Sequence, residues 1–198
     1  PGGSSEHGPG RVIDGRGKAL LPGFKNGHTH SAMTLLRGYG DDMALQEWLQ
    51  TRIWPVEAAL TPEDIYWGTR LAALEMIRSG TTFANDMYFH PREALRAFTD
   101  SGIKAAVGLA LFDFSDEDRR RNETATMERI LADVATEHGR AALVSLTVAP
   151  HSIYTCSADL LRWARDTATE AGLVLHTHLA ETQTEVNNAT RGFGQRPF

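Results

Sequence analysis

The strongest constraint on this fold is a repeating alternation of short apolar runs with amphipathic stretches that stop at glycine. The pattern predicts strands over Phe24–His30, Thr81–Met87, Ile103–Phe112, Ala142–Ala149 and Val174–Leu179. It predicts helices over Ala44–Arg52, Pro62–Ser79, Arg92–Asp100, Asn122–Glu137 and Ser157–Ala171, with Gly80, Gly102, Gly139 and Gly172 as stops. The clearest is Pro62–Ser79: Thr61 suits the N-cap, Pro62 the first turn and Asp64 the capping acid. Ile65, Leu71, Ala72, Leu74 and Met76 give that helix an apolar stripe. The strands are nearly continuous apolar runs, as expected when both sheet faces are covered. Strands alternating with helices imply right-handed βαβ units and a parallel sheet. A closed eight-unit barrel takes on the order of 250 residues, so this chain reaches about five of its units. An open doubly wound sheet would fit the length, but the chain has neither a GxGxxG nor a Walker motif.

Bulk properties exclude more than they assign. At 198 residues, with 41% hydrophobic and 23% charged side chains, the chain is ordinary for a globular protein. A net charge of −5 offers no electrostatic footprint for nucleic acid. The single cysteine, Cys156, cannot form an internal disulfide and suits a reducing, cytoplasmic setting. No apolar run is long enough for a membrane span, and the start does not resemble a signal peptide. Residues 1–10 read as a linker, a tag scar or a disordered end, which makes His7 irrelevant, and the missing initiator Met hints at a start elsewhere. Arg11-Val12-Ile13 and Ala19-Leu20-Leu21 read as two short strand-like pieces. Thr182–Phe198 is polar, without a clear period, and no element is assigned to it.

The chemistry begins at His28 and His30. Side chains alternate along a strand, so two imidazoles one residue apart share a face and can bind one divalent cation. Ligands of parallel α/β folds meet the carboxyl ends of strands, and those ends also carry Asp86, Asp113, His151, and His178 with Glu181. The plainer readings stand beside this one. His-x-His pairs occur in loops and purification scars, and any single histidine can be a packed core residue. His176 faces the same side as His178 and is assigned to packing or hydrogen bonding. Arg119-Arg120-Arg121 reads as a solvated loop or helix start from which one arginine reaches a substrate carboxylate, Cys156 as a packed thiol, and His90 and His138 as surface residues.

These residues carry a family resemblance. Pro22-Gly23-Phe24-x-Asn26-x-His28-Thr29-His30, Met33-Thr34-Leu35-Leu36-Arg37-Gly38 and Glu47-Trp48-Leu49 resemble the amidohydrolase superfamily. So do Gly80-Thr81-Thr82, Asp86-Met87-Tyr88, Ala149-Pro150-His151-Ser152-x-Tyr154-x-Cys156-Ser157 and His178-Leu179-Ala180-Glu181-Thr182. Within it the chain is similar to 5-methylthioadenosine/S-adenosylhomocysteine deaminases and related chlorohydrolases. The resemblance implies a partial (β/α)8 TIM barrel over residues 23–198, with a remnant of a flanking β-sandwich at 11–22. It implies one divalent metal, zinc first and iron second, held by His28, His30 and His178. Glu181 matches the acid that shuttles a proton to the substrate ring nitrogen, and His151 a histidine that touches the purine. Glu57 matches the carboxylate that holds ribose hydroxyls, and Trp48 an aromatic wall.

The implied reaction is deamination of an adenosine-like purine, a small-molecule substrate, with no nucleic acid or membrane partner; a homo-oligomer is possible. The pattern departs from the family in two ways. Lys25 stands where the family has an apolar residue. The strand-eight aspartate and the histidine after strand six have no counterpart in this sequence, so the chain alone is expected to bind metal weakly and to turn over nothing. Rival readings are a triazine-type chlorohydrolase, a guanine or cytosine deaminase, or a non-catalytic half-barrel used for binding or oligomerisation.

Overall fold

The computed structural model describes residues 14–136 and 143–197. The expected Arg11–Ile13 strand, His7, His138 and the Gly139 stop lie outside them, as does Ala142, the start of the fourth expected strand.

Five parallel strands pair in chain order: β1 (Phe24–Thr29), β2 (Thr81–Tyr88), β3 (Lys104–Leu111), β4 (Val144–Pro150) and β5 (Val174–Leu175). The helices between them are α3 (Pro62–Arg78), α4 (Pro91–Ser101), α5 (Glu117–Thr136) and α6 (Ala158–Ala171), preceded by α1 (Leu45–Trp48) and α2 (Trp54–Glu57) and followed by α7 (Gln183–Phe193). The expected cap of α3 is present, with Thr61 Oγ1 accepting from Asp64 N–H and the Asp64 carboxylate accepting from Thr61 N–H. Gly102 and Gly172 end α4 and α6 with φ of 70° and 64°.

The sheet is strongly curled. Edge strands β1 and β5 are four spacings apart, which in a flat sheet would be about 19 Å. Yet the rings of His28, next to last in β1, and His178, three residues past β5, have centroids 4.7 Å apart. Side-chain alternation sorts the strand residues into an inner and an outer face. Met87, Ala110 and Ala149 pack together on the inside with Phe112. Small residues there leave room for the wall to bend. On the outside, Leu109, Leu111, Leu146 and Val148 form the larger core with Met127, Ile130, Leu160 and Ala164 of α5 and α6. Among the described residues, no helix is long and apolar enough to cross a membrane.

Several expectations need correction. Ala19–Leu21 forms no strand, and Leu20 is fully exposed. The expected Ala44–Arg52 helix runs on to Glu57 through a π-turn at Leu49–Ile53, where Trp54 N–H reaches Leu49 O. Pro55 has no N–H to give, which favours the wider turn before it. Leu71 and Leu74 lie on an open face of α3 with Trp67 and Ile77, whereas Ile65, Gly68, Thr69, Ala72 and Ala73 are its buried face. Helix α3 therefore has two apolar faces, and the second is uncovered among the described residues. Strand β5 is shorter than expected, and α7 occupies a stretch to which no element was assigned. Lys25 is accommodated by pointing outward, its Nζ donating to Thr82 Oγ1 at 2.8 Å.

Two contacts fix the 3-10 turn Ser31–Leu36 that follows His30. A Cβ added to Gly68 would lie 2.6 Å from the Ala32 carbonyl oxygen, so α3 approaches that turn as closely as a backbone allows. Gly68→Ala gains about 1 kcal/mol of helix propensity, but the overpacking costs about 1–3 kcal/mol. A net loss of about 1 kcal/mol is expected in urea unfolding of the full-length protein, and a stabilised variant would contradict the close approach.

The second contact is Asp86, fully buried, whose Oδ1 accepts Ser31 N–H at 2.6 Å while Oδ2 has no partner among the described residues. Burial, opposed by the Ser31 hydrogen bonds, pushes its pKa up from 3.8 to about 6. The folded form thus keeps a proton that the unfolded form has lost, and the stability present near pH 4 is lost as pH rises through about 6. Between those limits the wild type is expected to lose on the order of 3 kcal/mol relative to Asp86→Asn. Parallel stability–pH curves for the two would contradict the assignment.

Candidate metal centre and its cleft

His28 and His30 leave the carboxyl end of β1 on one face, and His178 arrives from beyond β5. One ring nitrogen from each lies within 4.8 Å of the others, and the three rings are 4.7, 4.9 and 5.2 Å apart between centroids. Hydrogen bonds decide which nitrogens face inward. His30 Nδ1–H donates to Met87 O at 2.5 Å, and His178 Nδ1–H donates to His151 O at 2.8 Å. Carbonyls only accept, so both rings carry their proton on Nδ1 and present a bare Nε2. Those two Nε2 atoms are 3.2 Å apart. Two lone pairs cannot bond to each other, and a shared cation satisfies both. The donor set of neutral imidazoles therefore fits a divalent ion of the zinc type.

The electrostatics favour the neutral, ligating form. Burial, then the charge that His30, His178 and His176 would carry, lowers His28 to about 4. His28 is nonetheless an exposed residue. Burial likewise lowers His30, opposed by its bond to Met87. His151 falls to about 3 through burial first, then through His178, His30 and His28.

The same cleft gathers the residues that the family resemblance assigns to it: His28, His30, Trp48, Glu57, His151, His178 and Glu181 all line it. His151 sits at the end of β4, its Nδ1 2.8 Å from Thr155 Oγ1, and its ring centroid lies 4.6 Å from that of His178. Glu57 is half-buried, and Tyr88 OH donates to its Oε1 at 2.7 Å. Burial raises the Glu57 pKa, opposed by that hydrogen bond. Trp48 is held by Nε1–H donating to Tyr39 O at 3.2 Å. Glu181 is exposed, and Tyr154 OH donates to its Oε2 at 3.2 Å.

Two strand-end acids do not join the cleft. Asp86 holds Ser31, as described above. Asp113 accepts from Ser157 N–H at 2.7 Å and Ser157 Oγ–H at 2.5 Å, which ties the end of β3 to the start of α6. Cys156 is buried, its thiol donating to Leu111 O at 3.2 Å. Of the arginine run, Arg119 stacks over Phe112 and Phe114 on the cleft wall, Arg120 lies 3.6 Å from Asp159, and Arg121 pairs with Glu117 and Asp118 at the surface.

One residue escaped the sequence reading. Glu185 is buried, its Oε1 accepting Ala180 N–H at 3.0 Å and its Oε2 accepting Glu181 N–H at 2.8 Å. It thereby holds the turn in which Ala180 takes a φ of +56° and from which Glu181 projects. The signal was present: Thr182-x-x-Glu185 is a capping-box pattern, and Thr182 Oγ1 does accept from Glu185 N–H. Glu185→Ala would leave two N–H groups without their acceptor, at a cost of about 1–3 kcal/mol. Faster hydrogen exchange at Ala180 and Glu181, with a lower urea midpoint, is expected in the full-length protein; unchanged exchange there would contradict the anchoring.

Comparison with known proteins agrees with this geometry. Residues 19–197 match the Amidohydrolase family. A 5'-deoxyadenosine deaminase of Methanospirillum hungatei is 45% identical over 186 residues, spanning 94% of this chain and 41% of that protein. A 5-methylthioadenosine/S-adenosylhomocysteine deaminase of Archaeoglobus fulgidus is 45% identical over 184 residues, spanning 93% and 42%. The crystal structure of an adenosine deaminase from Xanthomonas campestris with bound zinc superposes with a TM-score of 0.78 at 37% identity, covering 89% of this chain and 40% of that one. A triazine hydrolase, at 17% identity and a TM-score of 0.76, shares the fold. The chain thus spans about two fifths of the length of these relatives. Its curled sheet and alternating helices are part of a (β/α)8 barrel, and with a metal-type histidine cluster at the strand ends this chain belongs to the amidohydrolase family.

Proposed function

We propose that the protein is a metal-dependent deaminase acting on the exocyclic amine of an adenosine-like purine, and that this chain supplies three histidine ligands and the proton-transfer acid. The observation that carries the proposal is the convergence of His28, His30 and His178 beside Glu181 in one cleft. The substrate class is supported by relatives named for 5'-deoxyadenosine and for 5-methylthioadenosine/S-adenosylhomocysteine. Zinc is the favoured ion, with iron second, supported by three neutral imidazoles and by the zinc bound in the Xanthomonas relative. A cytoplasmic location is supported by the free, buried Cys156.

When bound, the ion supplies Lewis-acid activation of water at neutral pH. The residues of this chain do the rest. As water adds to the amine-bearing carbon, electron density rises on the adjacent ring nitrogen; Glu181 takes a proton from the adding water and passes it to that nitrogen. The water's second proton leaves with the amine as ammonia, so that a ring carbonyl forms. Tyr154 steadies Glu181 by donating to its Oε2. His151, held neutral chiefly by burial, hydrogen-bonds the purine. Tyr88 occupies Oε1 of Glu57, which leaves Oε2 to accept from the ribose hydroxyls. Trp48 forms an aromatic wall of the cleft against which the substrate packs.

The test is ammonia release by the zinc-loaded full-length protein from adenosine, 5'-deoxyadenosine, methylthioadenosine and S-adenosylhomocysteine. Turnover of at least one is expected, with kcat reduced about 10²–10⁴-fold by Glu181→Gln. Removal of the ion by a chelator is expected to abolish turnover, and zinc to restore it. A stoichiometrically loaded protein that releases ammonia from none of the four would contradict the proposal.

A further inference from the structure

The three proposed ligands are not held alike. His30 and His178 give their Nδ1–H to backbone carbonyls, whereas His28 Nδ1 lies 2.8 Å from His176 Nε2. His176 is 8% exposed, and its ring is roughly perpendicular to that of His28, with centroids 5.0 Å apart. Its backbone N–H continues the ladder by donating to Val148 O at 2.9 Å, so the ring sits on a fixed support. Its Nδ1 is buried without a protein partner, and the bond to His28 is the ring's one hydrogen bond among the described residues.

We infer that His176 is a positioning residue for the metal centre, acting as the acceptor that fixes the tautomer and ring orientation of His28. The assignment rests on the reading of His28, His30 and His178 as ligands. One proton lies between the two rings. If it belongs to His28 Nδ1, then His28 Nε2 is bare and able to ligate, and His176 carries its own proton on Nδ1. If it belongs to His176 Nε2, then His28 carries its proton on Nε2 and cannot ligate through that atom. His30 and His178 have no such freedom, since carbonyls fix their tautomers. An ion shared with their Nε2 atoms therefore selects the first arrangement. Metal-bound histidines generally give their second N–H to a carboxylate, a carbonyl or water, and here a neutral imidazole takes that place. An imidazole can also turn donor, which makes His28 the one ligand of the three whose competence depends on a side chain.

Two readouts test this in the full-length protein, neither of them activity. The first is the tautomer of His176 in zinc-loaded protein labelled with ¹⁵N-histidine, read from long-range ¹H–¹⁵N correlations. The Nδ1–H form is expected, and an Nε2–H His176 would overturn the assignment. The second is zinc affinity by competition with a chromophoric chelator. His176→Leu removes the acceptor and is expected to weaken binding 10–100-fold. His176→Gln places an amide oxygen near the position of Nε2 and is expected to restore most of that loss. Equal affinity in all three proteins would overturn the assignment. Should circular dichroism show that the leucine variant does not fold, His176→Asn, whose amide falls short of Nε2, is expected to bind zinc more weakly than the glutamine variant; indistinguishable affinities would overturn it. A wild type that holds no zinc would sink the ligand reading itself. One zinc in the wild type with indifferent His176 variants would sink this inference alone.

Discussion

Two bare imidazole nitrogens held 3.2 Å apart by carbonyls on the far sides of their rings are the constraint around which this structure is arranged. Neither ring can turn over to present an N–H without giving up its hydrogen bond to a carbonyl, and both are partly buried. The pair suits a shared cation: lone pairs facing at that distance repel, and an ion between the rings would satisfy both. The backbone supplies this arrangement, since the acceptors are main-chain oxygens of Met87 at the end of β2 and of His151 just past β4. The proposed ligands His30, just past β1, and His178, beyond β5, are thus oriented by backbone at the ends of β2 and β4.

That dependence gives the curl of the sheet its functional meaning. A flat five-stranded sheet would leave His28 and His178 far apart, and the small inner-face residues Ala110 and Ala149 allow the wall to bend enough to bring them together. Beyond β1 the chain turns at once, and Gly68 and Asp86 set that turn from outside the barrel. Beyond β5 the ladder ends early, yet His176 and His178 still donate backbone N–H groups to Val148 and His151. Glu185 then stabilises a left-handed turn at Ala180. The site is built where regular strand gives way to fixed irregular backbone.

Much of this was legible in the sequence. The strand–helix rhythm placed the sheet, because glycine stops and the Thr61–Asp64 cap are local signals that tertiary packing did not override. His28, His30, His151, His178 and Glu181 were legible because strand ends of a parallel sheet converge on one side. Asp86 and Asp113 satisfied the same rule and were misread, since position at a strand end does not say which face a carboxylate serves. Leu71 and Leu74 misled for a related reason: helical spacing marks an apolar face but not what covers it. Helix α7 was overlooked because its face is polar, although its capping residues were in view. The relation of His176 to His28 spans most of the chain and could come only from coordinates.

The most direct measurement is anomalous diffraction at the zinc edge from crystals of the full-length protein. The account requires an anomalous peak within about 2.0–2.1 Å of one ring nitrogen each of His28, His30 and His178, with Glu181 facing the same cleft. A zinc peak away from these rings, or rings turned so that no point is within bonding distance of all three, would contradict it.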